Sequence, residues 1–434
     1  MKPLRFILTA MAFAVCFLLE DNYGYQGTKI SIIFYAVYGI SLFFLLSAAA
    51  FFLARANRRH VKVTKNTRLI LLLLVLSLLI GYLSAGLQGH LGGGTEGTGL
   101  MLARISIMMI MVYYSVRVAY QQELYLSRFV ETFAVFAVGS AVMDLLTYLF
   151  GSSVAALHLY DLGRITTFEG PLLIVWIFAL DYFLSSELIS GHKWYRVAAV
   201  GVMLLAILFS FRRAVSLIAL GSIVLMLVTY VLASNQKRRI KRIAFVGPAV
   251  FLLACFIVFV RPDIIERVDP FVFLNPSSSA SQVALLSNEG HVNDILIGIQ
   301  LVAHHPVFGV GPSFGISQEQ LYGSTIAPAL LHSELLDAWL RGGVLGVAAL
   351  LILYVTIASS ALDLLRQGNT PFGRTFGLAS FSFIIPYAMT AVVMPPFYLF
   401  QKSGFLFMVI FASGESLSLM SKQDRTVLRK RRPA

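Results

Sequence analysis

Histidines and arginines are the side chains of this protein whose placement suggests chemistry. Four of the eight histidines lie between residues 288 and 346: His291, His304, His305 and His332. A neutral imidazole accepts a proton near pH 7, so a histidine here could act as a general base toward a hydroxyl group. Arg212 and Arg213 interrupt an apolar run, FSFRRAVSLIALG. Because a charge near lipid is costly, we expect this pair to face a cavity or an anion.

Other kinds of site are not supported by residue spacing. His304 and His305 are adjacent and cannot share one face of a helix, and no His, Cys, Asp or Glu group has zinc-ligand spacing. Cys16 and Cys255 both lie in apolar runs, so a disulfide framework is not expected. The glycine-rich segment GHLGGGTEGTG lacks the lysine of a phosphate-binding loop. We therefore predict no metal site.

The composition places these residues in a membrane protein. Hydrophobic residues make up 58% of the 434 residues and charged residues only 13%, and the mean hydropathy is +0.80. A soluble domain carries about twice that share of charge. The net charge of +13 therefore indicates membrane topology and contact with anionic lipid rather than with nucleic acid.

An all-α polytopic membrane fold is predicted from the apolar runs. A spanning helix needs roughly 20 mostly apolar residues, and about twelve such runs occur. They are residues 4–19, 30–53, 69–86, 100–120, 129–150, 171–189, 197–211, 214–233, 243–260, 338–360, 376–394 and 404–420.

Basic residues predict the orientation of these helices. With twelve spans, the basic segments 55–68, 234–242 and 421–434 all lie on one side, which the positive-inside rule makes cytoplasmic. Both termini are then cytoplasmic. The predicted organisation has four parts: helices one to nine in residues 1–260, an outer loop in 261–337, helices ten to twelve in 338–420 and a basic cytoplasmic tail in 421–434.

Two arginines in the spans have simple structural explanations. Arg117 ends the fourth span, where we expect it to reach the membrane surface or to pair with Asp144 or Asp181. Arg341 falls near the outer face, where an arginine either anchors the helix in the interface or meets an anion.

The outer loop contains one predicted amphipathic helix and one tight turn. The helix covers about residues 290–304 and could lie flat on the membrane. Its apolar face is predicted to consist of Val292, Ile295, Leu296, Ile299 and Val302. Pro306 ends this helix, and Gly309 and Gly311 form a turn with little side-chain bulk that could approach a ligand closely. The chain re-enters a helix at about Leu331, with His332 in its first turn.

Three motifs in this region resemble those of one family. His332, Leu336, Gly343 and Gly346 resemble the H-N-x-x-L-(x6)-G-x-x-G signature of the O-antigen ligase and O-antigen polymerase superfamily. The segment HHPVFGVGPSFG is similar to that superfamily's h-P-x-x-G-x-G turn, and FSFRRAVSL resembles its S-R motif at the start of an earlier helix. The motifs occur in the superfamily's order and cover about residues 208–350.

The resemblance implies an inverting, metal-independent membrane glycosyltransferase without a cofactor, in a GT-C-like fold. It would take a glycan from undecaprenyl diphosphate at the periplasmic face of the bacterial inner membrane, so that 261–337 would be a periplasmic loop. His332 would be the general base, and Arg213 or Arg212 would bind the diphosphate.

Two positions depart from the family pattern. Ser333 stands where the family usually has Asn, and His291 stands where a second family arginine is expected. His291 could bind phosphate when protonated, or Arg341 could take over that role. Because ligases depend on the second arginine, its absence favours a polymerase-like member.

Three functions remain open from the sequence. The first is a polymerase of O-antigen or exopolysaccharide repeat units, with a glycan or lipid-linked acceptor and possible partners in a flippase and a chain-length regulator. The second is a ligase that moves the glycan to lipid A core or to protein. The third is a flippase or transporter of lipid-linked sugars. A separate alternative is an acidic, metal-dependent glycosyltransferase site at Glu20 and Asp21.

Overall fold

The computed structural model of this chain is helical, apart from one short pair of β-strands. It describes residues 2–17, 64–87, 109–150, 202, 205, 213–233, 292–293, 295–311, 316–317, 328–329, 331, 333–368, 370–392 and 401–431. The described helices are α1 Lys2–Phe17, α2 Lys65–Leu87, α3 Met109–Ala119, α4 Glu123–Phe150, α5 Arg213–Ala233, α6 Ile295–His304, α7 Glu334–Gln367, α8 Pro371–Thr390 and α9 Gln401–Arg431. The predicted all-α class is thus confirmed in its main feature.

The β-pair lies between α6 and α7 and was not predicted. Strand β1, Ile316–Ser317, pairs antiparallel with β2, Pro328–Ala329. Each strand has only two residues, and such a short ladder carries no periodic sequence signal.

Helix α7 is the centre of the described bundle. It packs against α8, α2 and α9, while α5 packs against α8 and α1 against α4. Aromatic side chains fill much of the shared core, where Phe376 and Phe405 are buried and the Phe383 ring lies 5.7 Å from that of Phe407. Stacked and edge-on aromatic contacts of this kind fix helices at close range.

Helix α7 is bent at Gly343, which has φ 60° and ψ −156°. This backbone conformation is essentially restricted to glycine. A straight helix of 34 residues would be about 50 Å long, about 20 Å longer than the 20-residue α8 beside it. Nevertheless, the backbone N–H of Glu334 donates to Ala391 O, just beyond the end of α8, at 2.8 Å. The bend therefore turns residues 334–342, the N-terminal segment of α7, over the end of α8.

The opposite end of the bundle is held by a buried polar cluster. Glu415 of α9 accepts hydrogen bonds from Thr64 N at 2.9 Å, from Thr67 Oγ1 at 3.0 Å and from the Tyr113 hydroxyl. Arg117 lies 3.7 Å from the same carboxylate. The start of α2 and the end of α3 therefore meet α9 here.

Two predictions can be compared with this cluster. Arg117 does form an internal ion pair, and its partner among the described side chains is Glu415; the Asp144 side chain and residue 181 lie outside the described part of the chain. The reason is tertiary, since α3 packs beside a helix almost 300 residues later in the chain. The cluster also brings residues 64–68 and 421–422, which are parts of two basic segments, to one end of the bundle, where Lys422 pairs with Asp363 of α7.

The surface of the described helices is apolar, as expected for a lipid-facing protein. Leu72 and Leu79 of α2 and Val355 of α7 are all more than half exposed. By length and composition, two helices of the described part could cross a membrane: Glu334–Gln367 and Gly404–Gln423. The count of about twelve spans stays a prediction, because spans such as 30–53 and 171–189 lie outside the described residues.

We predict that Gly343→Ala destabilises the protein by about 2 kcal/mol or more, since alanine strongly disfavours this backbone conformation. An alanine Cβ would also collide with the Val307 carbonyl oxygen. Thermal unfolding of the purified protein in detergent measures the effect.

Gly414→Ala on α9 is the matched control. Its Cβ would meet Phe376 at 3.7 Å, an ordinary contact, and alanine favours a helix by up to about 1 kcal/mol over glycine. Equal melting temperatures for the two variants would contradict the strain argument.

Candidate functional site

The candidate site is built around the start of α7. Ser333 is the N-cap, with extended backbone angles (φ −145°, ψ 109°), and its Oγ accepts a hydrogen bond from Leu336 N at 3.4 Å. Serine and asparagine are about equally good N-caps. The replacement of the family's usual Asn by Ser333 therefore retains the capping of this helix.

The turn at residues 305–311 docks directly on the bend of α7. In an unbroken helix, Val344 N would donate to Leu340 O. Here Val344 N donates to Val307 O at 3.1 Å, and Leu340 O accepts from Val310 N at 2.7 Å. The turn thus satisfies both backbone groups that the bend separates, which is essential where no water can replace them.

Glycines allow this contact between backbones. Gly309 (φ 69°) and Gly311 (φ 96°) have positive φ values that favour glycine. A Cβ on Gly309 would also lie 2.9 Å from Gly343 N, and one on Gly343 would lie 2.7 Å from the carbonyl carbon of Val307. One glycine of each sequence motif, Gly309 and Gly343, is therefore required by the same interface.

Trp339 adds a side-chain contact to this interface. Its indole Nε1 donates to Pro306 O at 2.6 Å. The turn is thus held by three hydrogen bonds to the N-terminal segment of α7 and the residue after its bend. Nothing in the sequence motifs signalled Trp339.

Two buried acidic residues lie one and four positions after the N-cap. Glu334 is fully buried, and its Oε2 accepts a hydrogen bond from the Tyr387 hydroxyl of α8 at 3.2 Å. Asp337 is fully buried and accepts from Arg341 Nε through both oxygens, at 3.0 and 2.8 Å. Acids in the first turn also interact favourably with the helix dipole. The cation of Arg341 is therefore balanced by an acid one helical turn away.

The structure brings some of the predicted site residues together. Pro306, Gly309 and Gly311 lie against the N-terminal segment of α7, which carries Arg341. His332, His291 and Arg212 lie outside the described residues. No group of three or more His, Cys, Asp or Glu residues that could hold a metal occurs among the described side chains.

Arg213 is the first described residue of α5, and this helix contains the predicted span 214–233. Helix α5 approaches the site through α8. A Cβ on Gly221 would lie 3.1 Å from Pro386, which precedes the Tyr387 that bonds Glu334. Arg213 is separated from Gly221 by about 12 Å of helix. Helix α5, which begins at Arg213, and the start of α7 therefore share α8 as their neighbour.

Sequence reasoning missed the buried acids and their partners. The Asp337–Arg341 pair has the i, i+4 spacing of a helical ion pair, so this signal was present. The partnership of Glu334 and Tyr387 joins residues 53 positions apart, and no local pattern indicates it.

A comparison with known families agrees with this geometry. Residues 198–351 match the family model of the O-antigen ligases. The predicted resemblance to the O-antigen ligase and polymerase superfamily is confirmed over this segment. No curated protein matches the chain.

The superfamily consists of bacterial integral membrane glycosyltransferases with a lipid-linked glycan as donor. The matched segment contains α5, α6, the glycine turn and α7 as far as Leu351. It ends before α8. The matched segment therefore receives its Tyr387–Glu334 contact from outside the matched residues.

We predict that Asp337→Ala destabilises the protein by about 3–5 kcal/mol, because it leaves the buried Arg341 cation without its acid. Their side chains are only 1% and 9% exposed. Chemical or thermal unfolding in detergent measures the change.

The surface pair Lys422–Asp363 provides the matched comparison. Its N–O distance of 3.0 Å is similar, but its side chains are 55% and 43% exposed. Solvent screening limits Asp363→Ala to less than about 1 kcal/mol. Comparable losses of unfolding free energy in Asp337→Ala and Asp363→Ala would show that burial does not control the strength of the Asp337–Arg341 ion pair.

Proposed function

We propose that this protein transfers an undecaprenyl-diphosphate-linked glycan to a sugar hydroxyl at the periplasmic face of the bacterial inner membrane. In this reaction it polymerises O-antigen or exopolysaccharide repeat units. The main observation in support is that the family match covers the glycine turn and the bent start of α7. These two segments pack into one unit, and His332 lies between them in the sequence, two residues before α7 begins.

His332 is the proposed general base. Acceptor attack requires removal of a hydroxyl proton, and histidine can accept one near neutral pH. The chain is anchored directly after this residue, by the Ser333 cap and by the Glu334 N–H on Ala391 O. These contacts support a fixed backbone position beside His332, as a positioned base requires.

Arginines are the proposed diphosphate-binding groups. Negative charge develops on the leaving diphosphate, and guanidinium groups stabilise phosphate oxygens through paired hydrogen bonds. The candidate arginines are Arg213, Arg212 and Arg341, and His291 in its protonated form is a further candidate. For Arg341, the Asp337 carboxylate on Nε fixes the plane of the guanidinium group and offsets part of its charge.

The proposed topology has about twelve membrane-spanning helices, with both termini in the cytoplasm. Two observations support it. Basic residues Lys65, Arg68 and Lys422 gather at one end of the bundle, and the N-terminal segment of α7 lies over the end of α8 far from Pro371. The site is then at the face opposite the basic end, which is the periplasmic face.

A ligase is the second candidate, and the description of the matched family as O-antigen ligase favours it. The glycan that accumulates in a deletion strain distinguishes the two functions. A missing polymerase leaves single repeat units on the lipid carrier or on lipid A core. A missing ligase leaves long chains on the lipid carrier. Unchanged glycans would contradict both.

We predict that His332→Ala abolishes glycan transfer by purified protein in proteoliposomes, while membrane insertion and melting temperature stay unchanged. His304→Ala is the matched control, since His304 is exposed on α6 and precedes the h-P-x-x-G-x-G pattern, which covers residues 305–311. Substantial transfer by the His332 variant would exclude the proposed base.

We predict different effects for Arg212→Ala and Arg213→Ala. Adjacent positions on a helix point about 100° apart, so only one guanidinium is expected to face the diphosphate. One variant should lose most transfer activity and the other should retain it, as measured with the same lipid-linked donor. If both retain full activity, the diphosphate is bound elsewhere.

A further inference from the structure

Helix α6 has three distinct faces. The first packs on α7 and the residues before it. A Cβ on Gly298 would lie 3.1 Å from Leu331 and 3.3 Å from Leu336, and Val302 is buried in a cluster with Leu331 and Leu340. The sequence predicted one apolar face that includes Val302, and the structure divides it: Val302 is buried toward α7, whereas Leu296 and Ile299 are exposed.

The second face of α6 is apolar but exposed. Val292, Leu296 and Ile299 are 55%, 53% and 50% exposed. They recur every three or four residues, together with exposed Ala303, and so form one stripe along the helix. In water such a stripe on a short helix would be unfavourable.

The third face is polar and exposed. It consists of Asn293, Gln300 and His304, which lie about 80° around the helix from the apolar stripe. Both stripes run along the same length of helix. The apolar stripe can face lipid and the polar stripe can face water along their whole length only if the lipid–water interface runs parallel to the helix axis.

The exposed apolar stripe continues onto a helix that could cross a membrane. Val307 and Phe308 in the turn are more than half exposed, and Val344 N bonds Val307 O. Val344 and Val355 continue this exposed apolar surface along α7. Since α7 is long and apolar enough to span a bilayer, its exposed flank and the α6 stripe have the same environment.

We propose that α6 lies in the membrane–water interface and contacts the bilayer phospholipids directly. Val292, Leu296 and Ile299 enter the acyl region, and Asn293, Gln300 and His304 face water. The helix thereby sets the depth of the glycine turn that follows it and holds the bend of α7 at the membrane surface. This contact does not depend on glycan transfer.

Spin-label accessibility tests the proposal. Cys16→Ser and Cys255→Ser provide a cysteine-free background, and single cysteines replace Leu296, Ile299, Asn293 or Gln300. Each nitroxide-labelled protein is reconstituted in vesicles of phosphatidylethanolamine and phosphatidylglycerol. Relaxation by oxygen, which concentrates in lipid, is compared with relaxation by a water-soluble nickel chelate. Labels at Val355 and Lys422 serve as lipid and water references.

The expected oxygen-to-nickel ratio is several-fold higher at positions 296 and 299 than at 293 and 300, and it approaches that of Val355. Similar ratios at all four positions would overturn the proposal. So would shielding of 296 and 299 from both reagents, since another protein segment would then cover the stripe. Each labelled variant is first shown to elute as the unlabelled protein does, so that misfolded material does not enter the comparison.

Discussion

Two backbone hydrogen bonds between the glycine turn and the bend of α7 hold the candidate site together. Val344 N and Leu340 O would bond each other in a regular helix, and the bend separates them. Val307 O and Val310 N replace the lost partners, at 3.1 and 2.7 Å. In a low-dielectric environment an unsatisfied peptide group costs several kcal/mol, so the bend and the turn stabilise each other.

The bend of α7 determines where the neighbouring segments of the candidate site lie. It places residues 334–342 over the end of α8, where Glu334 meets Tyr387 and Ala391. It also allows α6 to run beside this segment rather than beyond the end of the bundle. A straight α7 would carry its first residue about 20 Å beyond the end of α8 and would leave Glu334 without these partners.

Buried charges fix both ends of the bundle. Asp337–Arg341 lies near the start of α7, and Glu415 with Arg117 lies where α2, α3 and α9 meet. Such pairs add little net stability compared with apolar packing, because desolvation offsets much of their attraction. They do make sliding or rotation of a helix unfavourable, since such a shift would separate a buried charge from its oppositely charged partner. This property suits a protein whose lipid-facing surface provides little directional packing force of its own.

The sequence by itself determined the class, the resemblance to one family and the spacing of the motif glycines. Low charge and long apolar runs require lipid around the helices, and the motif glycines stand at fixed spacings in the chain. These are local constraints, and local patterns reveal them. The apolar span predicted at 214–233 lies within α5 for the same reason.

Only the tertiary structure decided which groups meet. Arg117 pairs with Glu415, Tyr387 bonds Glu334, and Val302 is buried while Leu296 is exposed. Each of these outcomes depends on the rotation and depth of one helix against another, and apolar sequences are nearly uniform around the helix. Periodicity therefore identifies a membrane helix without specifying its neighbours, and the partners of its polar residues are set by the packing of the whole bundle.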